Sequence, residues 1–394
     1  MVLQKDFFDL PEGMIYLDGN SLGPLPKLAK TRVAAVMQDE WGTQLIKGWN
    51  VAGWMAQPSL IGDAIGRLLG APEGTVVLGD TLSIKVYQAI SAGINMRPNR
   101  HVILSDSGNF PSDLYIAQGL LRSLGQNYEL RIVDPEDVVT SIDETVAVVL
   151  LTEVDYRTGR LHDMIEITKR AHNVGSVMIW DLAHSAGAIP IDLEKSRCEF
   201  AVGCTYKYLN GGPGAPAFIY VRKDLSDEID PILTGWLGHD KPFDFDLEYR
   251  PARGVERMRV GTPPVLQMAA LSAALEIWEH INIFELRSKS IALQELFIQQ
   301  VEARVPGLNL VSPRESANRG SQVSFSFENG YAVMQALIAQ GVIGDFRAPN
   351  VMRFGFTPLF IDEADVIRAV DHLERIIKDQ IWDDPKYLTR QRVT

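Results

Sequence analysis

Between Trp180 and Lys207 the chain sets an acid, Asp181, at the end of one apolar run and an amine, Lys207, at the end of the next. A carboxylate and an amine on the tips of neighbouring buried strands suit a pyridine-ring aldehyde cofactor. The amine forms a Schiff base with pyridoxal phosphate, and the carboxylate keeps the ring nitrogen protonated, which makes the ring an electron sink. Each residue alone has a plainer reading. Asp181 could cap a helix beside a satisfied His184, and Lys207 could snorkel from a strand end. Together they favour the cofactor, because a buried lysine is costly unless partnered or neutralised.

Such a cofactor also needs a phosphate cradle of backbone N–H groups, hydroxyls or a helix N-terminus. Gly79–Ser83 opens an amphipathic stretch, so Ser83 and the free N–H groups around it could supply one. Asn109–Asp113 reads as a strand-to-helix turn, with Pro111 near the first helical position. There Phe110 could stack on the ring and Asp113 could join the polar network, although a core phenylalanine and a capping Ser112 fit the same residues. No Gly-x-Gly-x-x-Gly and no Walker loop occurs, so a nicotinamide- or ATP-dependent reading has no anchor.

With 394 residues the chain can build two domains with large cores, and 22% charged residues are those of an ordinary globular protein. A net charge of −12 argues against binding nucleic acid or an anionic membrane. Cys198 and Cys204 fit no zinc spacing and read as small buried hydrophobes of one apolar segment, on one face if that segment is a strand. The first thirteen residues carry acids and lack the apolar core of a signal peptide. No run approaches the ~20 apolar residues of a membrane span. A soluble, cytoplasmic protein is expected.

The elements that must position these groups alternate short apolar runs with amphipathic stretches, the pattern of a mostly parallel sheet covered by helices. Strands are expected at His101–Asp106, Glu129–Asp134, Val146–Thr152, Ser176–Asp181 and Phe200–Thr205, with helices at Pro111–Leu124 and Met164–Asn173. Pro216–Arg222 follows too closely for a helical crossover and should run antiparallel. After Gly261–Pro264 come helical patterns over Val265–Ile281 and Ile283–Arg304. Strand candidates then follow at Gln322–Phe327, Val342–Arg347 and Val351–Phe356, with a closing helix near Asp362–Lys378. This predicts a smaller α+β domain after the large one.

Beyond the lysine and aspartate, several motifs stand in a specific order: Leu17–Pro24, Phe110–Asp113, Asp181–His184, Thr205–Tyr208, Gly235–His239 and Gly261–Pro263. With them the chain resembles, almost end to end, the kynureninases, pyridoxal-phosphate enzymes of the aspartate-aminotransferase fold (fold type I). The resemblance implies an N-terminal segment (1–45) packing across a large cofactor-binding domain (46–264) and a small C-terminal domain (265–394). It implies Lys207 as Schiff-base lysine, Asp181 as partner of the pyridinium, and His184 beside it. Phe110 matches the stacking aromatic and Asp113 closes its motif, while Leu82, Ser83 and Thr152 fall at cofactor contacts. Tyr206 matches a tyrosine that binds phosphate and relays a proton. Trp236 and Thr262 match phosphate contacts donated by a second subunit, which implies a homodimer. Arg353 matches the clamp on the substrate carboxylate, and Ser21 and Trp49 fall where the family lines the substrate pocket. Thr262 stands where the family often has asparagine, Ser83 where it can carry threonine, and the residue at Trp49 varies.

The activity implied is hydrolysis of L-kynurenine to anthranilate and L-alanine in tryptophan catabolism, with 3-hydroxykynurenine as a second substrate. An aminotransferase of the same fold is the alternative. A cysteine desulfurase would need a thiol well downstream of the lysine, and no cysteine follows Cys204.

Overall fold

Apolar runs become strands here because helices cover both faces of the sheet they join. The computed structural model describes residues 5–125 and 127–390, so the first four residues of the expected N-terminal segment and the last four of the expected C-terminal unit lie outside it. A short strand, β1 (Ile15–Tyr16), precedes seven that form one sheet. These are β2 (Val76–Leu78), β3 (Val102–Asp106), β4 (Glu129–Val133), β5 (Val146–Thr152), β6 (Val177–Asp181), β7 (Phe200–Gly203) and β8 (Phe218–Val221). Their order is β2-β8-β7-β6-β5-β3-β4, parallel from β7 to β4. The segment after Lys207 does run antiparallel: β8 pairs in that sense with both β2 and β7. Helices Pro111–Leu124 and Met164–Asn173 match the expected bounds.

Two expectations about this sheet need correction. β7 stops at Gly203 instead of Thr205, because the residue that would face Thr205 is Pro216, which has no N–H for the ladder. The Thr205 hydroxyl donates to the Pro216 carbonyl at 2.7 Å instead. Cys198 and Cys204 therefore flank the strand instead of sharing its face, and both are free and buried.

The second half builds β9 (Asn309–Leu310), β10 (Gln322–Ser326), β11 (Val342–Ile343), β12 (Asp345–Arg347) and β13 (Val351–Gly355). Four of them form a sheet in the order β12-β13-β10-β9. The single strand expected over Val342–Arg347 is divided at Gly344, since β11 leaves to pair in parallel with β1. The helix expected over Val265–Ile281 ends at Leu275, passes into a 3-10 turn, and is restarted at Asn282, whose side chain accepts from the N–H groups of Phe284 and Glu285. The closing helix runs Glu363–Lys378 behind a capping box of Asp362 and Asp365. One apolar cluster runs from Leu104 and Trp180 of the large sheet through Trp278 to Phe297 and Phe325. No helix among the described residues is long and apolar enough to cross a membrane.

Residues 17–23 are wedged between the two halves. The Gly355 N–H donates to the Leu17 carbonyl at 2.7 Å, and the Gly23 N–H donates to the Tyr206 carbonyl at 2.8 Å. Both contacts require the absence of a side chain. A Cβ on Gly23 would lie 2.4 Å from the Lys207 carbonyl, and one on Gly355 would lie 2.1 Å from Asn20 Oδ1. Gly355→Ala is therefore expected to lower stability by about 1–3 kcal/mol through overpacking, read as a lower thermal unfolding temperature. An unchanged unfolding temperature would show that the wedge yields freely.

Candidate active site

A parallel sheet gathers the C-terminal ends of its strands along one edge, which is where open α/β sheets bind ligands. At that edge β6 ends in Asp181, β5 in Thr152, and β7 leads through Cys204–Tyr206 to Lys207. Two helices begin above the same edge, Leu82–Asn95 and Pro111–Leu124. Neither N-cap residue, Thr81 or Phe110, caps its helix with a side-chain hydrogen bond, so first-turn N–H groups stay available. Ser83 and Ser112, one on each first turn, lie 3.1 Å apart through their hydroxyls. Two such helix starts with two hydroxyls form an anion cradle.

The floor holds acids and bases whose protonation is set by burial. Asp181 accepts from the Ala183 N–H at 2.8 Å, and burial lifts its carboxyl to about 6 against the pull of Lys207. Asp113, wholly buried, is pushed well above the usual carboxylate range by burial and by the Asp181 charge. The two acids disfavour each other's charge, so that Asp113 is the one held toward its protonated form and Asp181 the one that ionises first. Burial, then Lys207, drives His184 far below its ordinary value, so its ring is neutral. Its Nε2 lies 2.9 Å from the Lys207 amine and accepts from it, which leaves the imidazole proton on Nδ1. The Tyr206 phenol is pushed upward by the adjacent Cys204 and by burial, and so keeps its proton.

The opposite wall comes from the C-terminal half. Asp345 and Arg353 face each other across β12 and β13. The fully buried Arg353 donates from Nε to Asp345 Oδ1 at 2.8 Å and from Nη2 to the second carboxylate oxygen, with further bonds to Ser21 Oγ at 2.7 Å and to the Tyr156 carbonyl. Burial would raise the Asp345 carboxyl, but Arg353 and Arg347 outweigh it and hold it below the usual range. Asp18 has no such clamp, and burial with the Asp345 charge lifts it to about 7. Gly19–Gly23 spells Gly-x-Ser-x-Gly, the spacing of a nucleophile elbow. It forms a turn instead, and Ser21 donates to Asp345 at 2.6 Å with no histidine among its partners.

These walls enclose a cavity of about 210 Å³. Of the residues singled out in the sequence, it brings together Ser21, Leu82, Ser83, Phe110, Asp113, Asp181, His184, Tyr206, Lys207 and Arg353. Phe110 stands edge-on to Tyr156 with ring centres 5.1 Å apart, and its own centre is 6.0 Å from the Lys207 amine. Thr152, paired with Asp181 across β5 and β6, does not line the cavity, and its hydroxyl donates to the Val154 carbonyl at 3.2 Å. Trp49 packs edge-to-face on Trp54 at 5.5 Å, outside the cavity. Trp236, against Phe243, and Thr262 are exposed and also stand apart from it. Asn20, Asp345 and Arg347 escaped the sequence reading. The signal for the last two was an Asp-x-Arg alternation, which puts both on one face of a short strand.

The donor set fits pyridoxal phosphate: an anion cradle, a ring-facing aromatic, an ionised acid and an amine around one space. Asp113 Oδ2 and His184 Nδ1 are buried there without a protein partner, as are both amide atoms of Asn20.

Comparison with known proteins agrees with this reading. Residues 286–373 match the family model of the kynureninase C-terminal domain. Kynureninase of Pseudomonas fluorescens is 47% identical, over 98% of this chain and 95% of the relative, and that of Burkholderia pseudomallei (strain 1106a) is 46% identical over 99% and 95%. Among solved structures, the apo cysteine desulfurase of Thermococcus onnurineus NA1 has a TM-score of 0.80 at 18% identity, covering 96% of this chain and 99% of that one. A mutant of C-DES with glycine covalently linked to its PLP cofactor has a TM-score of 0.82 at 17% identity, covering 95% and 99%. The distant structures establish the fold, α/β with a mixed central sheet, as that of fold type I enzymes. Near-identical length and nearly half-identical sequence go further: this chain belongs to the kynureninase family.

Proposed function

We propose that the cavity hydrolyses L-kynurenine to anthranilate and L-alanine with pyridoxal phosphate as cofactor. The observation that carries this is the Lys207 amine against a neutral His184 and beside ionised Asp181, facing a buried arginine across one cavity. When bound, pyridoxal phosphate supplies an aldehyde that links to amines and a ring that stores electrons.

The residues then take these roles. The helix starts at Leu82 and Pro111, with Ser83 and Ser112, hold the phosphate. Asp181 keeps a proton on the ring nitrogen, and Asp113, itself protonated, steadies Asp181 without adding charge. Phe110 and His184 confine the ring. Lys207 would hold the aldehyde carbon, and its amine, when free, is placed to remove the substrate α-proton as general base. Arg353, locked by Asp345, presents a planar guanidinium to the substrate carboxylate, with Ser21 beside it. The reaction adds one water across Cβ–Cγ, the hydroxyl to the carbonyl carbon and the proton to Cβ. Tyr206, protonated throughout the working range, is the proton donor to Cβ.

We further infer a homodimer in which Trp236 and Thr262 complete the partner's phosphate site and Trp49 stands near the substrate ring. The exposure of Trp236, Phe243 and Phe245, and of Trp41, Leu45 and Ile46, supports an apolar interface along those segments. We place the divisions at residues 45 and 264, in support of which the seven-stranded sheet lies between them and the four-stranded sheet lies after residue 264. The cytoplasm is the proposed location, where two free thiols stay reduced.

The purified protein given L-kynurenine should release anthranilate and alanine in equal amounts. Absence of anthranilate, with cofactor absorbance still responding to amino acids, would move the function to transamination. Lys207→Ala should cut turnover by more than about 10³-fold without lowering the unfolding temperature, since it removes both base and covalent partner. Full activity in that variant would overturn the assignment.

The acid pair gives a pH test. Ionised Asp181 is the form that holds the ring, and it protonates below about pH 6. Cofactor affinity of the apoprotein should therefore fall as pH drops through that value, by about tenfold per unit. Fluorescence titration reads this directly, and Asp181→Asn should bind weakly and lose the dependence. A flat profile in the unaltered protein would detach Asp181 from the ring nitrogen.

A further inference from the structure

Arg353 cannot meet a carboxylate with a free fork. Four of the five N–H groups a guanidinium carries are taken by Asp345, Ser21 and the Tyr156 carbonyl. A second arginine lines the same cavity with more to offer. Arg347 sits two residues from Asp345 on β12, so both side chains leave the same face of the strand. Its Nη2 is 2.7 Å from Asp345 Oδ2 and donates to Ser21 Oγ at 3.5 Å, and Nη1 donates to the Phe346 carbonyl at 3.2 Å. Its Nε–H is buried and has no protein partner. A buried N–H of a cation left without an acceptor is costly, and a ligand anion relieves that cost.

We propose that Arg347 is a second anchor for the substrate α-carboxylate, gripping it together with Arg353 while Asp345 holds the two guanidiniums in register. This rests on the amino-acid substrate proposed above and specifies how it is recognised. The charge of this corner agrees. Asp345 is the one carboxylate here kept firmly ionised, while Asp18 is held up near neutrality and is in part uncharged at pH 7. Two cations therefore share little more than one anion, and an incoming carboxylate restores balance. Of the other ionisable groups that act with these arginines, burial pushes the Tyr208 phenol upward and drives His184 downward, so both stay uncharged at that pH.

The rival role is scaffolding, in which Arg347 only steadies Asp345. Holoenzyme kinetics with L-kynurenine and with its neutral α-carboxamide separate the two. Arg347→Gln should raise KM for the acid by about 10- to 100-fold, as expected for a lost charged hydrogen bond. Both kcat and the KM for the carboxamide should stay within about threefold, and Arg347→Lys should recover part of the loss. An unchanged KM for the acid overturns the proposal. So does an equal loss for acid and carboxamide, the mark of a scaffold. Titration of cofactor absorbance with L-alanine and L-alaninamide keeps the test independent of the hydrolytic reading. If the unaltered protein released no anthranilate, a selective loss of alanine binding in Arg347→Gln would still uphold Arg347, and equal binding would refute it.

Discussion

The pairing of Asp345 with Arg353 is the contact on which the rest of the site depends. A buried ion pair contributes little or even destabilises unless its remaining polar atoms are also satisfied. Here they are, and by segments far apart in sequence: Ser21 from the N-terminal wedge and the Tyr156 carbonyl from the loop after β5. Cross-strand register places the acid opposite the base, so the sheet itself sets the geometry of the pair. One cluster thus fixes the distance between the Lys207 floor, carried by the large sheet, and the arginine wall, carried by the small one.

The floor solves a different electrostatic problem. Four ionisable groups lie together, three of them buried, and in a low dielectric they could not all be charged. Burial neutralises His184 and Asp113, and what remains is an anion, Asp181, acting on the Lys207 amine. The wall across the cavity is richer in cations. On the function proposed above, this asymmetry of charge would turn the carboxylate of an amino acid toward the arginines and leave its amine toward the lysine.

The sequence disclosed those parts whose physics is local. Val146–Thr152 and Pro111–Leu124 were legible because an unbroken apolar run and a proline-started amphipathic stretch each have one stable form. Asp181 and Lys207 were legible because a charge ending an apolar run stands out against its surroundings. β11 and β12 were not, since two residues paired with β1 and three paired with β13 read together as one strand; only tertiary pairing divides them at Gly344. The end of β7 lay in its neighbour as well, for it is Pro216 that removes the ladder bond.

The polar residues missed share a single cause. Asn20, Asp345 and Arg347 are unremarkable in their local windows: Asp345 acquires its role from Arg353 across a strand pair and from Ser21 of the distant N-terminal wedge, and Asn20 and Arg347 acquire theirs from the cavity they line. A motif names the groups that can react. The groups that set their charge and aim belong to the tertiary fold, and in this chain they cluster where the N-terminal wedge meets β12 and β13. Gly355 lies at that meeting because only a bare backbone lets Asn20 close upon it, and Gly23 does the same where the wedge closes on the backbone of Lys207 and Asn210. Gly355, the Asp345 clamp and the two arginines therefore form one physical unit, and a change in any of them acts on the arginine wall before it reaches the lysine floor.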